Sequence, residues 1–363
     1  MARVFSCAAG ALALAAAMPA AAQDNVQLYG RLNVALEALH GGGSGDKVQR
    51  VSNNRSVLGF RGSEDLGGGW QALFQVEGTL APDTGAGSIA ARDTRVGIAG
   101  PWGTLFAGNW TLPYNSATSA LDPFYPTTAG YMSLMGNGAG ATESNISNVY
   151  SFDRRQQNSV HYWTPQWQGW SLRVARGMAE ERPASGAHPA LTSAALLYDG
   201  GALYASLAQE EHHDYQGRGL SDRGSKLALA WRIDSASQLA VALESLRYAT
   251  ATGDLRRRTV YVSATRQFGR HGLRFGLAHA KSATGSALET IGTVRAGAGT
   301  GATHATAGYD YQLSKRSSLY AYYTRLANGR NGIAGFAINS LGRDGETKGA
   351  TLSGVALGIK HNF

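Results

Sequence analysis

The sequence predicts an all-β protein, a sixteen-stranded antiparallel barrel that spans a membrane. Three observations predict it: hydrophobicity alternates with a period of two, short turns alternate with long polar connections, and the chain starts with an export signal. The composition fits this class, since 48 of the 363 residues are glycine, 43% are hydrophobic and only 16% are charged. A chain this apolar and aromatic is not a disordered one.

Residues 1–22 have the pattern of a cleavable secretory signal peptide. A positively charged start precedes the apolar run Ala8–Ala17, and three alanines then form a small-residue cleavage site. The apolar run is too short to cross ~30 Å of hydrocarbon as a helix. Cleavage would leave 23–363 as one barrel domain and remove Cys7, the only cysteine of the sequence. The mature chain is therefore expected to have neither a disulfide nor a cysteine metal ligand.

The alternation begins directly after the predicted cleavage site. In Val26–Glu37 the even positions are apolar or glycine, and most odd positions are polar or charged. Successive side chains of a strand point to opposite faces, so this period predicts a strand with one apolar and one polar face. The same pattern recurs in seven later stretches, at 70–80, 226–233, 238–244, 273–278, 304–313, 318–324 and 354–363.

The connections between these strands alternate in length, which predicts their number. Seven short turns carry Gly, Pro, Asp or Ser, at 64–69, 100–103, 166–169, 199–201, 234–237, 269–272 and 314–317. Eight longer polar stretches lie between them, at 40–52, 81–90, 110–157, 180–190, 211–222, 249–256, 282–300 and 328–348. Fifteen connections join sixteen strands, and short turns alternating with long loops are typical of outer-membrane barrels.

A soluble β-sandwich also alternates, with its apolar face turned inward. Export, charges on the polar face of nearly every strand, and aromatic residues near strand ends favour the membrane instead. A sheet in hydrocarbon can have no free edge, so it is expected to close. The aromatic residues expected to form interfacial girdles are Tyr29, Trp70, Trp102, Trp110, Trp163, Trp167, Trp170, Tyr198, Tyr309, Tyr311, Tyr322 and Tyr323.

Six short motifs follow one another along the mature chain, at Val26–Gly30, Leu58–Gly69, Arg92–Leu105, Asn158–Pro165, Tyr309–Tyr320 and Gly358–Phe363. With these motifs in this order and spacing, the chain resembles the general porins of the Gram-negative outer membrane, closest to the β-proteobacterial and neisserial type. The resemblance implies a homotrimer with one water-filled pore per subunit, set in outer-membrane lipid and lipopolysaccharide. It also implies that the third loop folds into the barrel as the constriction and that the terminal Phe363 is read by the insertion machinery.

The resemblance also implies three arginines at the constriction. Arg55 would lie just before the second strand, Arg92 at the start of the fourth, and Arg155 at the start of the sixth. Asp122, in the third loop, matches the acidic position of the family's constriction segment. Asn109 stands where the family often has a basic residue, which would weaken the positive lining.

The alternation adds three candidates to this set. Arg31 and Glu77 have the polar parity of the first and third strands, so they are expected to face the lumen. Arg95 has the lumen parity of the fourth strand, but Arg92 does not. Either Arg92 therefore precedes the regular strand or the strand contains a bulge.

The charge of the chain suggests what the pore passes. The formal charge is +8 and the isoelectric point is near 9.6, which favours small anions and hydrophilic solutes as the permeating species. A substrate-specific channel is the alternative, and Tyr320, Tyr322 and Trp163 leave open an aromatic track along the lumen.

Other functional classes are less favoured by the sequence. No nucleophile-and-base arrangement indicates an enzyme, and no motif requires a cofactor or a metal. The basic run Arg256–Arg258, predicted at a loop base, is expected to face anionic headgroups rather than nucleic acid, because export places it outside the cytosol.

Overall fold

The computed structural model describes residues 26–42, 47–341 and 347–363. Over these ranges the chain forms sixteen long antiparallel strands joined side by side in one sheet. The predicted signal peptide lies outside the described residues and stays a prediction. Among the helices of the described part, none has the length and apolar character that crossing a membrane would require.

The strands follow one another in chain order, and each pairs with its neighbours in the sequence. Their bounds are β1 (Gln27–His40), β2 (Lys47–Asn53 and Ser56–Gly67), β3 (Trp70–Ala81), β4 (Thr94–Gly100), β5 (Gly103–Thr111), β6 (Arg155–Trp163), β7 (Trp170–Gly177), β8 (Ala190–Asp199), β9 (Leu203–His213), β10 (Ser221–Asp234), β11 (Ser237–Thr250), β12 (Gly253–Phe268), β13 (His271–Ala280), β14 (Ala302–Gln312), β15 (Ser317–Asn328) and β16 (Thr351–Asn362). Two short strands, Ala86–Ser88 and Thr284–Gly285, lie in connections.

The last strand pairs with the first, so the sheet closes into a barrel. Arg31 lies opposite Asn362, and the pairing continues to His40 opposite Ser353. This closure leaves no strand edge with unpaired backbone groups in the hydrocarbon. The predicted sixteen-stranded closed barrel is confirmed.

Burial separates the two faces of the strands as the alternation predicted. On β16, Val355, Leu357 and Ile359 are exposed, whereas the intervening Ala356 is only 5% exposed. On β10, Leu227, Leu229 and Trp231 are exposed in the same way. Exposed apolar side chains over so many strands form the lipid-facing band of a membrane barrel.

Two predicted long connections are wrong. Residues 47–52 belong to β2, and Arg50 there is held by Glu37 of β1 through a 2.9 Å ion pair between Nε and Oε2. The stretch 249–256 is mostly strand, because β11 and β12 are joined by only two residues. Arg257 is consequently buried on the inner face of β12 rather than at a loop base. Polar composition misled because the strand end at 249–256 also carries charges, Asp254 and Arg256, on its outer face.

The girdle prediction is also partly wrong. Trp70, Trp102, Trp167, Trp170, Tyr309 and Tyr323 are exposed, as interfacial aromatics should be. Trp110 and Tyr322 are buried, and Tyr29 and Trp163 have the inward parity of their strands. Whether an aromatic side chain near a strand end faces the lipid or the lumen depends on its parity in the strand and not on its distance from the end.

The terminal Phe363 joins β1 through its backbone. Its N–H donates to the Gly30 carbonyl at 3.1 Å, and its own carbonyl accepts from the Gly30 N–H at 3.0 Å. A Cβ on Gly30 would lie 2.3 Å from Cζ of the Phe363 ring, so the ring covers this glycine. The terminal aromatic therefore packs at the seam where the barrel closes.

We expect Phe363→Ala to lower outer-membrane levels strongly while the purified chain still refolds in detergent. The substitution keeps the two backbone hydrogen bonds, and because Phe363 is 37% exposed, the loss of its ring costs less than the ~3–5 kcal/mol of a fully buried aromatic, which a large barrel tolerates. Phe268→Ala, which removes a second exposed Phe on β12, serves as the control. Immunoblots of outer-membrane fractions and refolding yields measure the two effects. Equal impairment in both settings would show that Phe363 acts through packing alone.

Candidate pore constriction

The third long connection, residues 112–154, runs from β5 to β6 and packs against the inner face of the barrel. It contains a short helix, Pro113–Ser116, and three 3₁₀ turns, and its side chains Leu112, Met132 and Leu134 are fully buried. This connection, called loop 3 below, occupies part of the lumen.

Inward-facing residues of the far wall hold loop 3 in place. The Tyr114 hydroxyl donates to Glu244 Oε1 of β11 at 2.8 Å. Ser263 of β12 donates to the Leu121 carbonyl at 2.7 Å, and Arg257 Nη2 donates to the Leu134 carbonyl at 2.6 Å. Loop 3 is thus attached to β11 and β12, opposite the barrel wall made by β1 to β6.

Asp122 anchors the loop and is only 4% exposed. Its carboxylate accepts from the Tyr261 hydroxyl at 2.8 Å and from the backbone N–H groups of Phe124 at 3.0 Å and Tyr131 at 2.8 Å. Burial raises the pKa of Asp122 to about 6, although these three hydrogen bonds act in the opposite direction. Asp122 is therefore enclosed between loop 3 and β12.

The other two acidic side chains of loop 3 are also occupied. Asp153 is fully buried and accepts from Lys226 Nζ of β10. Glu143 accepts from Ser147 Oγ at 2.8 Å and from Asn148 Nδ2 at 3.1 Å. The three carboxylates of loop 3 are therefore held by hydrogen bonds within the loop and by contacts to the far wall, where only Asp153 has a cationic partner.

The predicted arginines come together on the near wall. Arg55 directly precedes the Ser56–Gly67 segment of β2, as expected, and it lies in the interruption between this segment and Lys47–Asn53, with φ at 54°. Its Nη1 donates to the Tyr125 hydroxyl of loop 3 at 3.4 Å, and its guanidinium lies 5.8 Å from that ring. Arg55 also interacts electrostatically with Arg92 and Arg155.

Arg92 precedes β4 by two residues. It therefore lies before the regular strand, and no bulge in β4 is needed to explain its parity. Its Nε donates to Glu77 Oε1 at 2.8 Å, and both side chains are largely buried. Glu77 also accepts from the Tyr29 hydroxyl at 3.1 Å. Tyr29 itself lies across Gly59, where a Cβ would come within 2.4 Å of its ring.

Arg155 begins β6, as expected, and forms the second ion pair of the cluster. Its Nε lies 2.7 Å from Asp93 Oδ1, and its Nη2 donates to Thr111 Oγ1 at 3.1 Å. Burial alone would raise the pKa of Asp93, but Arg155 and the hydrogen bonds from Thr111 hold it below its usual value.

Arg31 completes the cluster on β1. Its Nη2 donates to the Arg55 carbonyl at 2.8 Å, its Nε has no partner within the described residues, and it interacts electrostatically with Arg92. The constriction cluster consists of Arg31, Arg55, Arg92, Arg155, Glu77 and Asp93. Four positive and two negative groups give this cluster a local charge of plus two.

Arg95 faces inward as its parity predicted, but it lies in an aromatic group instead of the constriction cluster. Its guanidinium lies 4.6 Å from the ring of Phe106, 4.3 Å from Trp110 and 5.2 Å from Trp163. Within the described residues it has neither an ion pair nor a hydrogen bond. Cation–π contacts therefore hold this charge in place.

The sequence reasoning missed Asp93, Tyr125 and the role of Asn109. Asp93 lies in a connection, where alternation carries no signal, although its place next to Arg92 was a clue. Asn109 Nδ2 donates to the Arg92 carbonyl at 3.0 Å, so it positions that arginine rather than contributing charge. The contact of Tyr125 with Arg55 could not be predicted, because the two residues are 70 positions apart in the chain.

The proposed aromatic track is interrupted. The Tyr320 hydroxyl donates to Asn33 Oδ1, and the Tyr322 hydroxyl donates to Glu37 Oε1, both at 2.7 Å. Trp163 belongs to the Arg95 group on the other side of the barrel. Tyr320 and Tyr322 stack on each other, with ring centroids 6.2 Å apart, but Trp163 lies apart from them, so the three side chains do not line one continuous path.

Comparison with known proteins identifies the type of barrel. A family model described as Gram-negative porin matches residues 8–331. Outer membrane porin protein 32 of Delftia acidovorans is 26% identical, over 96% of this chain and 97% of that protein. Major outer membrane protein P.IA of Neisseria meningitidis serogroup A is 34% identical over 44% of this chain and 43% of that protein.

Solved structures show the same fold. The anion-selective porin from Comamonas acidovorans superimposes with a TM-score of 0.76 and is 22% identical, covering 94% of this chain and all of that one. The comparisons agree with the sequence resemblance, including its β-proteobacterial and neisserial type.

Proposed function

The chain belongs to the Gram-negative porin family, and from this we propose that its outer-membrane channel passes small anions in preference to cations of the same size. Porins are channels for hydrophilic solutes and not enzymes, so the functional question is selectivity. The observation that carries the proposal is the constriction cluster, in which four guanidinium groups face two carboxylates.

The low-dielectric wall of a narrow aqueous passage strengthens the electric field of a fixed net charge that lines it. Arg55 and Arg31 contribute most to this field, because neither is paired with a carboxylate. Loop 3 offsets it only in part, since Asp153, which interacts electrostatically with Arg55, is ion-paired with Lys226, and Asp122 and Glu143 are held by hydrogen bonds away from the arginines. Anions are therefore stabilised where the passage is narrowest and cations are repelled.

Three solutes of nearly equal size test this proposal. In liposome-swelling assays, gluconate should enter faster than neutral sorbitol, and sorbitol faster than N-methylglucamine. The neutral polyol reports the size of the passage, so charge preference and size exclusion are read separately. Entry of N-methylglucamine at or above the rate of gluconate would refute the proposed preference.

The assembly and surroundings follow from the resemblance. We infer a homotrimer, each subunit with its own pore, held in lipid and lipopolysaccharide of the outer membrane. The exposed apolar band around the barrel supports a lipid environment. A substrate-specific channel is less favoured, because the tyrosines that would have formed its track are engaged with Asn33 and Glu37.

A further inference from the structure

Two arginines on the inner face of the barrel lie outside the constriction cluster and have no carboxylate partner within the described residues. They are Arg61 on β2 and Arg95 on β4, with Gln75 of β3 between them. In register, Gln27 lies opposite Arg61, Arg61 lies opposite Gln75, and Gln75 lies opposite Arg95. These four side chains form one row across four strands, called the vestibule row below.

The vestibule row lies between the constriction cluster and the short turns. On β1, Gln27 is about 13 Å from Arg31 at the usual rise per residue of a strand. On β3, Gln75 is the next inward residue after Glu77 of the cluster. Short turns are on the periplasmic side of outer-membrane barrels. A solute that has passed the constriction from outside therefore meets this row next.

Neighbouring side chains hold Arg61 in place without compensating its charge. Its Nε donates to Gln27 Oε1 at 2.9 Å, and its guanidinium lies 5.0 Å from the centre of the Tyr29 ring. Both partners are uncharged, and the two terminal nitrogens of Arg61 have no hydrogen bond within the described part of the chain. The side chain is exposed, so these nitrogens can bind a solute.

Arg95 presents one nitrogen to the same space. The rings of Phe106, Trp110 and Trp163 surround its guanidinium, and Nε and Nη1 are enclosed without a hydrogen-bond partner. Nη2 stays accessible, because the residue is only partly buried. A largely enclosed cation without a carboxylate is costly. A carboxylate bound at Nη2 would lower that cost.

The vestibule row borders a pocket of about 680 Å³, which also contains Ser63 and Leu73. Pockets for small organic ligands have volumes of this order. Of the described residues that line the pocket, none is a carboxylate, so the two arginines give it a charge of plus two. Leu73, on the strand between the arginines, adds an apolar surface.

We propose that this pocket binds an unbranched dicarboxylate, with one carboxylate at Arg61 and the other at Arg95. The Cα atoms of the two arginines are two strands apart, which is about 10 Å, so a chain with the length of adipate can bridge the guanidinium groups. Each carboxylate accepts charge-assisted hydrogen bonds, and the methylene groups lie against Leu73. A small inorganic anion reaches only one arginine, and a monocarboxylate leaves the other one unpaired.

The proposal rests on the proposed anion preference and names a substrate class for it, but its test is separate. Isothermal titration calorimetry on the purified porin in detergent measures binding of adipate, of hexanoate with the same chain length, and of inorganic phosphate. We expect adipate to bind roughly tenfold more tightly than the other two, because it alone engages both arginines. Equal affinities would show that the arginines act singly and would overturn the proposal.

Arg61→Gln removes an exposed side chain, so the barrel should fold as before, and adipate should bind no more tightly than hexanoate. The matched control, Arg173→Gln/Lys360→Gln, removes two other inward-facing cations that do not line the pocket. It should bind adipate like the unmodified porin. Equal loss in Arg61→Gln and in the control would indicate an unspecific effect of lumen charge and would contradict the proposed site.

A further variant separates the pocket from the constriction cluster. Arg31→Gln/Arg55→Gln should still bind adipate more tightly than hexanoate, because both residues lie outside the pocket. Loss of this difference here, with retention in Arg61→Gln, would place the dicarboxylate at the constriction and refute the proposal. Solutes reach the pocket from either mouth in detergent. Adipate binding in a channel that prefers cations would therefore support the site and refute only the ion preference.

Discussion

Replacing Arg31 and Arg55 by glutamine is expected to remove most of the anion preference of the channel. These two arginines have no carboxylate partner, and without them the constriction cluster falls from a charge of plus two to zero. Reversal potentials in a salt gradient should move towards zero. The effect should be larger at 0.1 M than at 1 M salt, since the screening length falls from about 10 Å to about 3 Å.

A second pair of substitutions provides the control for this prediction. Arg92→Gln/Glu77→Gln removes one positive and one negative group that are 2.8 Å apart, so the cluster stays at plus two. Replacing both partners also avoids leaving a buried charge unpaired, which would cost about 3–5 kcal/mol. The anion preference should therefore persist. If both double variants lose selectivity equally, the local charge balance does not determine it.

Deleting residues 120–145 should raise the conductance severalfold and admit larger solutes. The deletion removes the part of loop 3 that contains Tyr125, the contact with Arg55, together with the anchor Asp122. The barrel should still form, because β5 and β6 pair from Thr104 opposite Trp163 to Thr111 opposite Arg155 without the loop. Single-channel recording and swelling rates with larger sugars measure the change.

The exposed connection between β7 and β8 supplies the matched deletion. Removing 182–186 shortens this connection, and the conductance should stay that of the unmodified channel. An unchanged conductance after the deletion in loop 3 would mean that loop 3 does not narrow the passage. The constriction would then have to be assigned to the connections at the mouth of the barrel.

The alternation of the sequence predicted the barrel because period two is imposed residue by residue on a wall with lipid outside and water inside. Leu357 and Ala356 illustrate this, as their exposure follows parity alone. The same reasoning failed at 249–256, where threonine, glycine and the outward-facing charges of Asp254 and Arg256 made a strand resemble a polar loop. Polarity separates strand from loop only where the strand ends do not carry charges on their outer face as well.

The candidate site was predictable in part. Arg155 and Arg55 were found by resemblance, and Arg31 and Glu77 by parity. Asp122 shows the limit, since sequence identifies an acidic residue in loop 3 but not that Tyr261 and two backbone N–H groups surround it. Which way a loop residue points depends on tertiary contacts that carry no local periodicity.

The reversal potential of the unmodified channel in a tenfold gradient of potassium chloride at low salt tests the central claim most directly. If a net positive constriction sets the selectivity, the potential has the sign of chloride permeation and approaches the limit of about 59 mV for a monovalent ion. It should decline when both solutions are raised to high salt at the same ratio. A potential near zero, or one with the sign of potassium permeation, would contradict the account.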